Sequence, residues 1–239
     1  MDSPSSIALS GQQARERQMD VLANNLANVS TTAFKGLRML FAEYLSDKGG
    51  GSPSSYVQDI GTVRDWSQGP LTKTSNPLDV ALQGSGFLEI QTAQGIRYTR
   101  DGRLKIDAQG QLVTLDDDPV LDPTQQPITV PPNTPSLTIG QDGTIGGRAG
   151  TLGRLAVVSF DDLQSLAAEQ DGLYDTDETP TPATDTQVMQ GMVEESNVQP
   201  ITEMTRLMSV AHSVNMDKTF QDNEAERRKS SIDRLAKVV

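Results

Sequence analysis

The chain contains no cysteine, a single histidine and few aromatic residues, 4% of 239. The first absence excludes a disulfide framework and a thiolate metal site. The second excludes a histidine pair, for metal binding or for catalysis. His212 lies between Ala211 and Ser213 in a helical stretch and reads as a structural or interfacial residue. Long apolar runs are also missing. An obvious one, Leu155-Ala156-Val157-Val158, is far short of the ~20 residues that span a membrane. The opening stretch, Met1 to Leu9, has no basic n-region and no apolar h-region, so a cleavable signal peptide is not expected.

Positive charge is scarce as well. There are 20 basic and 32 acidic side chains, a net charge of −12. Residues 80–190 hold six basic and sixteen acidic side chains, which argues against nucleic-acid binding because that needs a basic footprint. The ends are nearly neutral, with four basic and three acidic side chains in 1–40 and seven and eight in 191–239. Near-neutral ends suit segments that pack against copies of themselves. Hydrophobic residues make up only 35% of the chain, against 20 Gly and 13 Pro. That fits an elongated or partner-completed protein better than a compact enzyme, with a β-rich domain carrying loose loops as the alternative.

The usual chemistry of a site is not assembled. Asp161-Asp162 and Glu194-Glu195 are adjacent and point apart, so they read as turn and cap residues. Asp116-Asp117-Asp118 lacks the spaced oxygens of a calcium loop. Gly84-Ser85-Gly86 precedes a strand rather than a helix, which is the wrong context for a phosphate cradle. No enzyme activity, cofactor, metal or small-molecule substrate is expected.

What is present is helical spacing at both ends. Met19, Leu22, Leu26 and Val29 share one face, flanked by Asn24, Asn25 and Asn28. Three asparagines in five positions run against helix propensity and suggest amides that face polar groups on a partner. Ser3 and Pro4 form a plausible start, as N-cap and first helical residue. Residues 34–45 stay partly apolar (Leu37, Met39, Leu40, Phe41, Tyr44, Leu45) and run into the Gly/Ser-rich stretch 46–55, a flexible linker by composition. Short extended segments follow at 56–60 and 62–66, with Trp66 as a packing residue.

From residue 76 the period changes to two. Short alternating runs separated by Asp101-Gly102, Gln109-Gly110 and Asp142-Gly143 read as a meander of hairpins. The Pro- and Thr-rich acidic stretch 171–189 reads as an exposed connection. After it Ile201, Met204, Leu207, Met208, Ala211, Val214 and Asn215 return to helical steps, with Pro200 at the start and no Gly or Pro up to Leu235.

The expected architecture is α+β. Residues 1–45 and 190–239 form a discontinuous helical domain whose N- and C-terminal helices pair in a coiled-coil-like layer. Residues 46–75 form a linker with a short extended segment, 76–170 a central all-β domain and 171–189 a connection. Neither helix buries its stripe unaided. The helices either pair with each other and with neighbouring molecules, or form a layer against the β domain of one monomer.

Four blocks resemble the signatures of the bacterial flagellar rod and hook proteins. They are Leu22-Ala23-Asn24-Asn25-Leu26-Ala27-Asn28-Val29 with Thr31-Thr32-Ala33-Phe34-Lys35; Asn76-Pro77-Leu78-Asp79-Val80-Ala81-Leu82 with Gly84-Ser85-Gly86-Phe87; Tyr98-Thr99-Arg100-Asp101-Gly102 with Asp107 to Val113; and Gln190-Gly191-Met192-Val193-Glu194-Glu195-Ser196-Asn197-Val198. Length and Phe41-Ala42-Glu43-Tyr44-Leu45 are most similar to the proximal-rod members, with the distal-rod and hook members as the alternative. The resemblance implies a non-catalytic subunit of the periplasmic drive shaft in the flagellar basal body. Its partners would be other rod subunits, copies of itself and the flagellar type III export apparatus, which exports without cleavage. Phe41 and Leu45 match a pattern linked to that export gate; the alternative is two core residues. Two positions depart from the family: Ala33 stands where Gly is usual, and Gln199 where Asp or Asn is. If the backbone at 33 needs a positive φ, Ala is strained there. A secreted adaptor whose β domain binds a ligand is the reading from another class.

Overall fold

A computed structural model describes residues 4–46, 54–131, 137–147 and 150–236 of the chain. Ser3, the expected N-cap, and most of the Gly/Ser-rich linker lie outside the described residues. The chain divides into two compact units. A helical unit holds residues 1–29, 36–65 and 198–239, and a β unit holds 30–35 and 66–197.

The helical unit contains α1 (Pro4–Ala27) and α2 (Pro200–Ala236), with Pro at the first position of each. Helix α1 ends two residues short of its expected stripe. Asn28 and Val29 form the turn that closes it, and the Asn28 side-chain amide donates at 2.9 Å to the Asn24 carbonyl, which also accepts from the Asn28 backbone amide at 3.2 Å. At the start of α2 the Gln199 side-chain oxygen accepts from the Thr202 hydroxyl at 3.2 Å. This substitute for an Asp or Asn cap engages a side chain.

Between the helices the expected boundaries change. Residues 37–45, placed with the helices, form strand β1 (Leu37–Ser46) together with the first linker residue, and much of the expected linker forms β2 (Ser54–Arg64). The two pair antiparallel over their whole length, a ribbon of about 33 Å. The physical reason is period. Leu37 and Met39 are half-buried while Arg38 and Leu40 are exposed, an alternation of two. The register shifts between Leu40 and Phe41, opposite Gly61 and Asp59, so β2 carries one extra residue; Gly61 sits there at φ 143°.

The β unit is also wider than expected. It begins at Trp66 and runs to Asn197, past the expected limits of 76 and 170. Leu71–Lys73 pairs with Met192–Glu194, and Val80–Gln83 pairs with Gln187–Gln190. A six-stranded antiparallel sheet runs in the order Ala167–Ala168, Leu173–Asp175, Gly95–Thr99, Phe87–Thr92, Val157–Ser159, Thr181–Pro182. The acidic 171–189 stretch therefore supplies strands rather than a free connection. Pro182 is tolerated because its strand is at the sheet edge, where no ladder donor is needed.

The central strands are covered on both faces, which explains why Phe87-Leu88-Glu89-Ile90 is buried throughout. Leu88 and Ile90 face an aliphatic core with Val80, Leu82, Leu112, Ile145 and Leu155. Phe87 faces an aromatic cluster with Tyr98, Phe160 and Tyr174, on which Trp66 packs at ring separations of 5.5 Å (Phe87) and 5.0 Å (Tyr174). Trp66 is thus the packing residue the sequence suggested.

Candidate functional site

Two arrangements stand out, one in each unit. In the helical unit α1 and α2 run antiparallel. Side chains join them at three levels: Asn25 Nδ2 donates to Glu203 Oε2 at 3.3 Å, Arg15 pairs with Asp217, and Gln221 Nε2 donates to Gln12 Oε1 at 2.7 Å. Covered residues of α2 include Glu203, Leu207, Val210, Val214, Asp217, Gln221 and Glu224, at alternating steps of four and three, with Thr202, Ala211 and Ser213 half-buried beside them. On α1 Ala14, Leu22 and Asn25 are buried.

The rest of α2 is turned outward. Ile201 is 80% exposed, Met208 68%, Met216 60%, Phe220 54% and Met204 47%. Met204, Met208, His212, Met216 and Phe220 recur every four residues, so they form a single ridge of the kind that fits the groove of a neighbouring helix.

The residues proposed from sequence as a subunit interface therefore separate into three groups. Leu22 and Asn25 are buried; Met19, Leu26, Asn28, Val29, Leu207, Ala211 and Val214 are half-buried; Asn24, Asn215, Ile201, Met204 and Met208 are exposed. The asparagines differ in role. Asn25 Oδ1 accepts from the Leu37 amide at 2.8 Å and its Nδ2 donates to the Leu37 carbonyl at 2.9 Å, so this amide ties α1 to β1 and α2 inside one molecule. Asn28 closes a helix, and Asn24 is exposed. Sequence reasoning missed Met216 and Phe220, although both continue the ridge. Phe41 is 43% exposed on β1; Leu45 lies on the same strand, its side chain outside the described residues.

The β unit holds a buried charge cluster that sequence reasoning also missed. The sequence predicts a turn or cap residue at Glu194. It is instead 1% exposed at the end of the strand Met192–Glu194, between two buried cations. Lys35 Nζ lies 2.6 Å from its Oε1 and Arg100 Nε 2.9 Å from its Oε2. The Gly69 amide donates to Oε1 at 2.8 Å. Arg100 also donates to the carbonyls of Gly86 at 2.9 Å, Gly84 at 2.8 Å and Leu82 at 3.2 Å, and Lys35 to that of Ser67 at 2.8 Å. Each donor thus has partners, as burial of charge requires.

All four sequence blocks meet around this cluster. The Ala33 amide donates to the Glu194 carbonyl at 2.8 Å, and the Gln190 side chain donates to the carbonyls of Pro77 at 2.8 Å and Leu137 at 2.9 Å. Two glycines mark where backbones touch. A Cβ on Gly69 would lie 2.0 Å from the Glu195 carbonyl oxygen, and one on Gly102 1.8 Å from that of Val80. Ala33 has φ 57°, the left-handed conformation that Gly adopts without strain. A second buried carboxylate, Glu89, lies on the aromatic face; burial lifts its pKa above the ordinary Glu value.

The two ends of the chain fold into one unit, and an apolar ridge is left outward on a helix already paired. Comparison with known proteins gives the class. Residues 6–35 match a family model described as flagella basal body rod protein, 81–147 one for the flagellar hook protein FlgE/F/G D1 domain, and 189–216 one for the flagellar basal body rod FlgEFG protein C-terminal. The chain is 40% identical to the flagellar basal-body rod protein FlgF of Caulobacter vibrioides, covering 100% of each chain. It is 33% identical to FlgF of Mesorhizobium japonicum, covering 98% of this chain and 96% of the relative. It is 33% identical to the flagellar basal-body rod protein FlgG of Buchnera aphidicola subsp. Schizaphis graminum, covering 87% and 91%. The chain belongs to the flagellar basal-body rod protein family.

Among the described residues, no helix is long and apolar enough to cross a membrane, and no group of three or more His, Cys, Asp or Glu side chains is placed to hold a metal ion.

Proposed function

We propose that this chain is a structural, non-catalytic axial subunit of the flagellar proximal rod, located in the basal body and assembled through its terminal helices. The observation that carries the reading is the outward ridge of α2. Met204, Met208, Met216 and Phe220 stand exposed along it, with Ile201 exposed near its start, on a helix whose other face is already paired with α1. Burying each such side chain stabilises by roughly 1.5–3 kcal/mol, so five together drive association strongly before ordering costs. In this reading the α1–α2 pair is one element of a coiled-coil-like layer. Its ridge seats against copies of the chain and against other rod subunits. Torque passes along the helical layer, and the acidic charge of the β unit favours solubility. The chain is a substrate of the flagellar type III export apparatus and leaves without cleavage; exposed Phe41, with Leu45 four residues on, supplies the gate contact.

The test is a motility assay with electron microscopy of basal bodies. Changing Met204, Met208 and Phe220 together to Ser should leave the chain folded and exported, abolish motility and end basal bodies before the distal rod. Normal rods in that strain would refute the reading. For Phe41 the readout is secretion: Phe41→Ala should lower export without changing the thermal midpoint of the purified chain.

A further inference from the structure

The chain passes between its two units at four points, 29/30, 35/36, 65/66 and 197/198. Within the β unit, the segments beside these points are hydrogen-bonded to one another. The Asn197 amide donates to the Phe34 carbonyl at 3.3 Å, and the Asn197 side chain donates to the Ser67 carbonyl at 3.0 Å and hydroxyl at 3.2 Å. Lys35 Nζ reaches the same Ser67 carbonyl. The Ala33 amide donates to the Glu194 carbonyl and the Glu195 amide to the Pro70 carbonyl, both at 2.8 Å. Beneath them the Lys35–Glu194–Arg100 cluster is closed to water, and Arg100 carries the connection to the carbonyls of Leu82, Gly84 and Gly86 at the end of a core strand.

We propose that this cluster is a mechanical anchor. It gathers every segment by which force enters the β unit and fastens them together to the core strand 80–83, so that a pull on one is shared by all. A buried ion cluster is a poor way to gain equilibrium stability, since well-packed apolar residues often do as well. It is a good way to resist displacement, because each short, directional bond must break before a strand slides and water is excluded from replacing it. The proposal rests on the reading of the chain as a force-carrying subunit, but the anchor is a property of the single chain.

The test is single-molecule pulling of the full-length chain. Because no native cysteine is present, handles attach cleanly at introduced pairs. Asp20→Cys with Thr179→Cys loads the β unit through residue 30; Thr179→Cys with Ser209→Cys loads it through residue 197. After the helices unravel at low force, the β unit should rupture at similar forces in both geometries. The charge-neutral pair Lys35→Met and Glu194→Gln should lower the rupture force by at least half in both, with the near-ultraviolet signal of the aromatic cluster retained. A folded variant with unchanged force, or with a loss in only one geometry, overturns the anchor. Asn197→Ala, which removes only bonds near the surface, keeps the test decisive if the pair fails to fold. It should lower the force by about a fifth in both geometries, and an unchanged force overturns the proposal. Because no assembly is involved, a rod-less strain phenotype and the rupture force fail independently.

Discussion

The two units solve the burial problem in opposite ways. Of 28 buried apolar residues among the described ones, only Ala14 and Leu22 belong to the helical unit. Of the nine large apolar side chains that stand exposed among the described residues, seven belong to it: Leu40, Phe41, Ile201, Met204, Met208, Met216 and Phe220. The β unit buries its apolar residues in two packed cores and keeps its strongest ion cluster inside. The helical unit joins its helices through polar and charged pairs and leaves apolar surface outside. A unit of the first kind is complete by itself. One of the second kind gains stability when something else covers it.

Glu194→Leu should break the β unit hardest. It leaves Lys35 and Arg100 buried without a counter-charge and costs about 3–5 kcal/mol. Chemical denaturation followed by Trp66 fluorescence measures this, and an unchanged midpoint would contradict the account of the cluster. Gly69→Ala comes next. Its Cβ meets the Glu195 carbonyl oxygen at 2.0 Å, so backbone must move, and overpacking of this kind costs roughly 1–3 kcal/mol in the same measurement.

In the helical unit Asn25→Ala should cost about 1–2 kcal/mol, because both polar groups of Leu37 lose a partner. Asn24→Ala on the exposed face should change stability by less than ~0.5 kcal/mol. Far-ultraviolet melting distinguishes them; equal effects would remove the distinction drawn between the asparagines.

Glu89→Gln should act in the reverse direction to Glu194→Leu. Burial holds the Glu89 proton to higher pH in the folded chain than in the unfolded one. The folded state therefore binds more protons between the two pKa values, and stability falls as pH rises through the folded pKa. Removing the charge should stabilise the β unit at neutral pH and leave it unchanged below the ordinary Glu range of about 4. A variant no more stable than the parent at neutral pH would count against the burial argument. The smallest effect belongs to Ala33→Gly. Relief of the left-handed strain, about 1 kcal/mol, is offset in part by the loss of a buried methyl, so a gain of a few tenths is expected by thermal melting.

Period and punctuation determined much from the sequence alone. Helical spacing fixed α1 and α2 to within a few residues, since their 3.6-residue stripes and Pro starts are local features. Hairpin signals such as Gln109-Gly110 located the β meander for the same reason. The question raised by Ala33 was also local, and its φ of 57° answers it. Only the tertiary structure decided the rest. The β1–β2 ribbon takes its pairing from contacts between segments the sequence separates with a Gly/Ser run. The strands in 171–189 form because distant edges are there to receive them. Glu194, Lys35 and Arg100 look like ordinary surface charges in the sequence. Their separations, up to 159 positions for Lys35 and Glu194, hide a cluster that exists only when four blocks close on one another. The asparagine stripe, read as a row of equals facing a partner, became a buried intramolecular strut at Asn25, a helix stop at Asn28 and an open position at Asn24. Which amide faces inward depends on what packs beside the helix, and that is set by β1 and α2 rather than by α1.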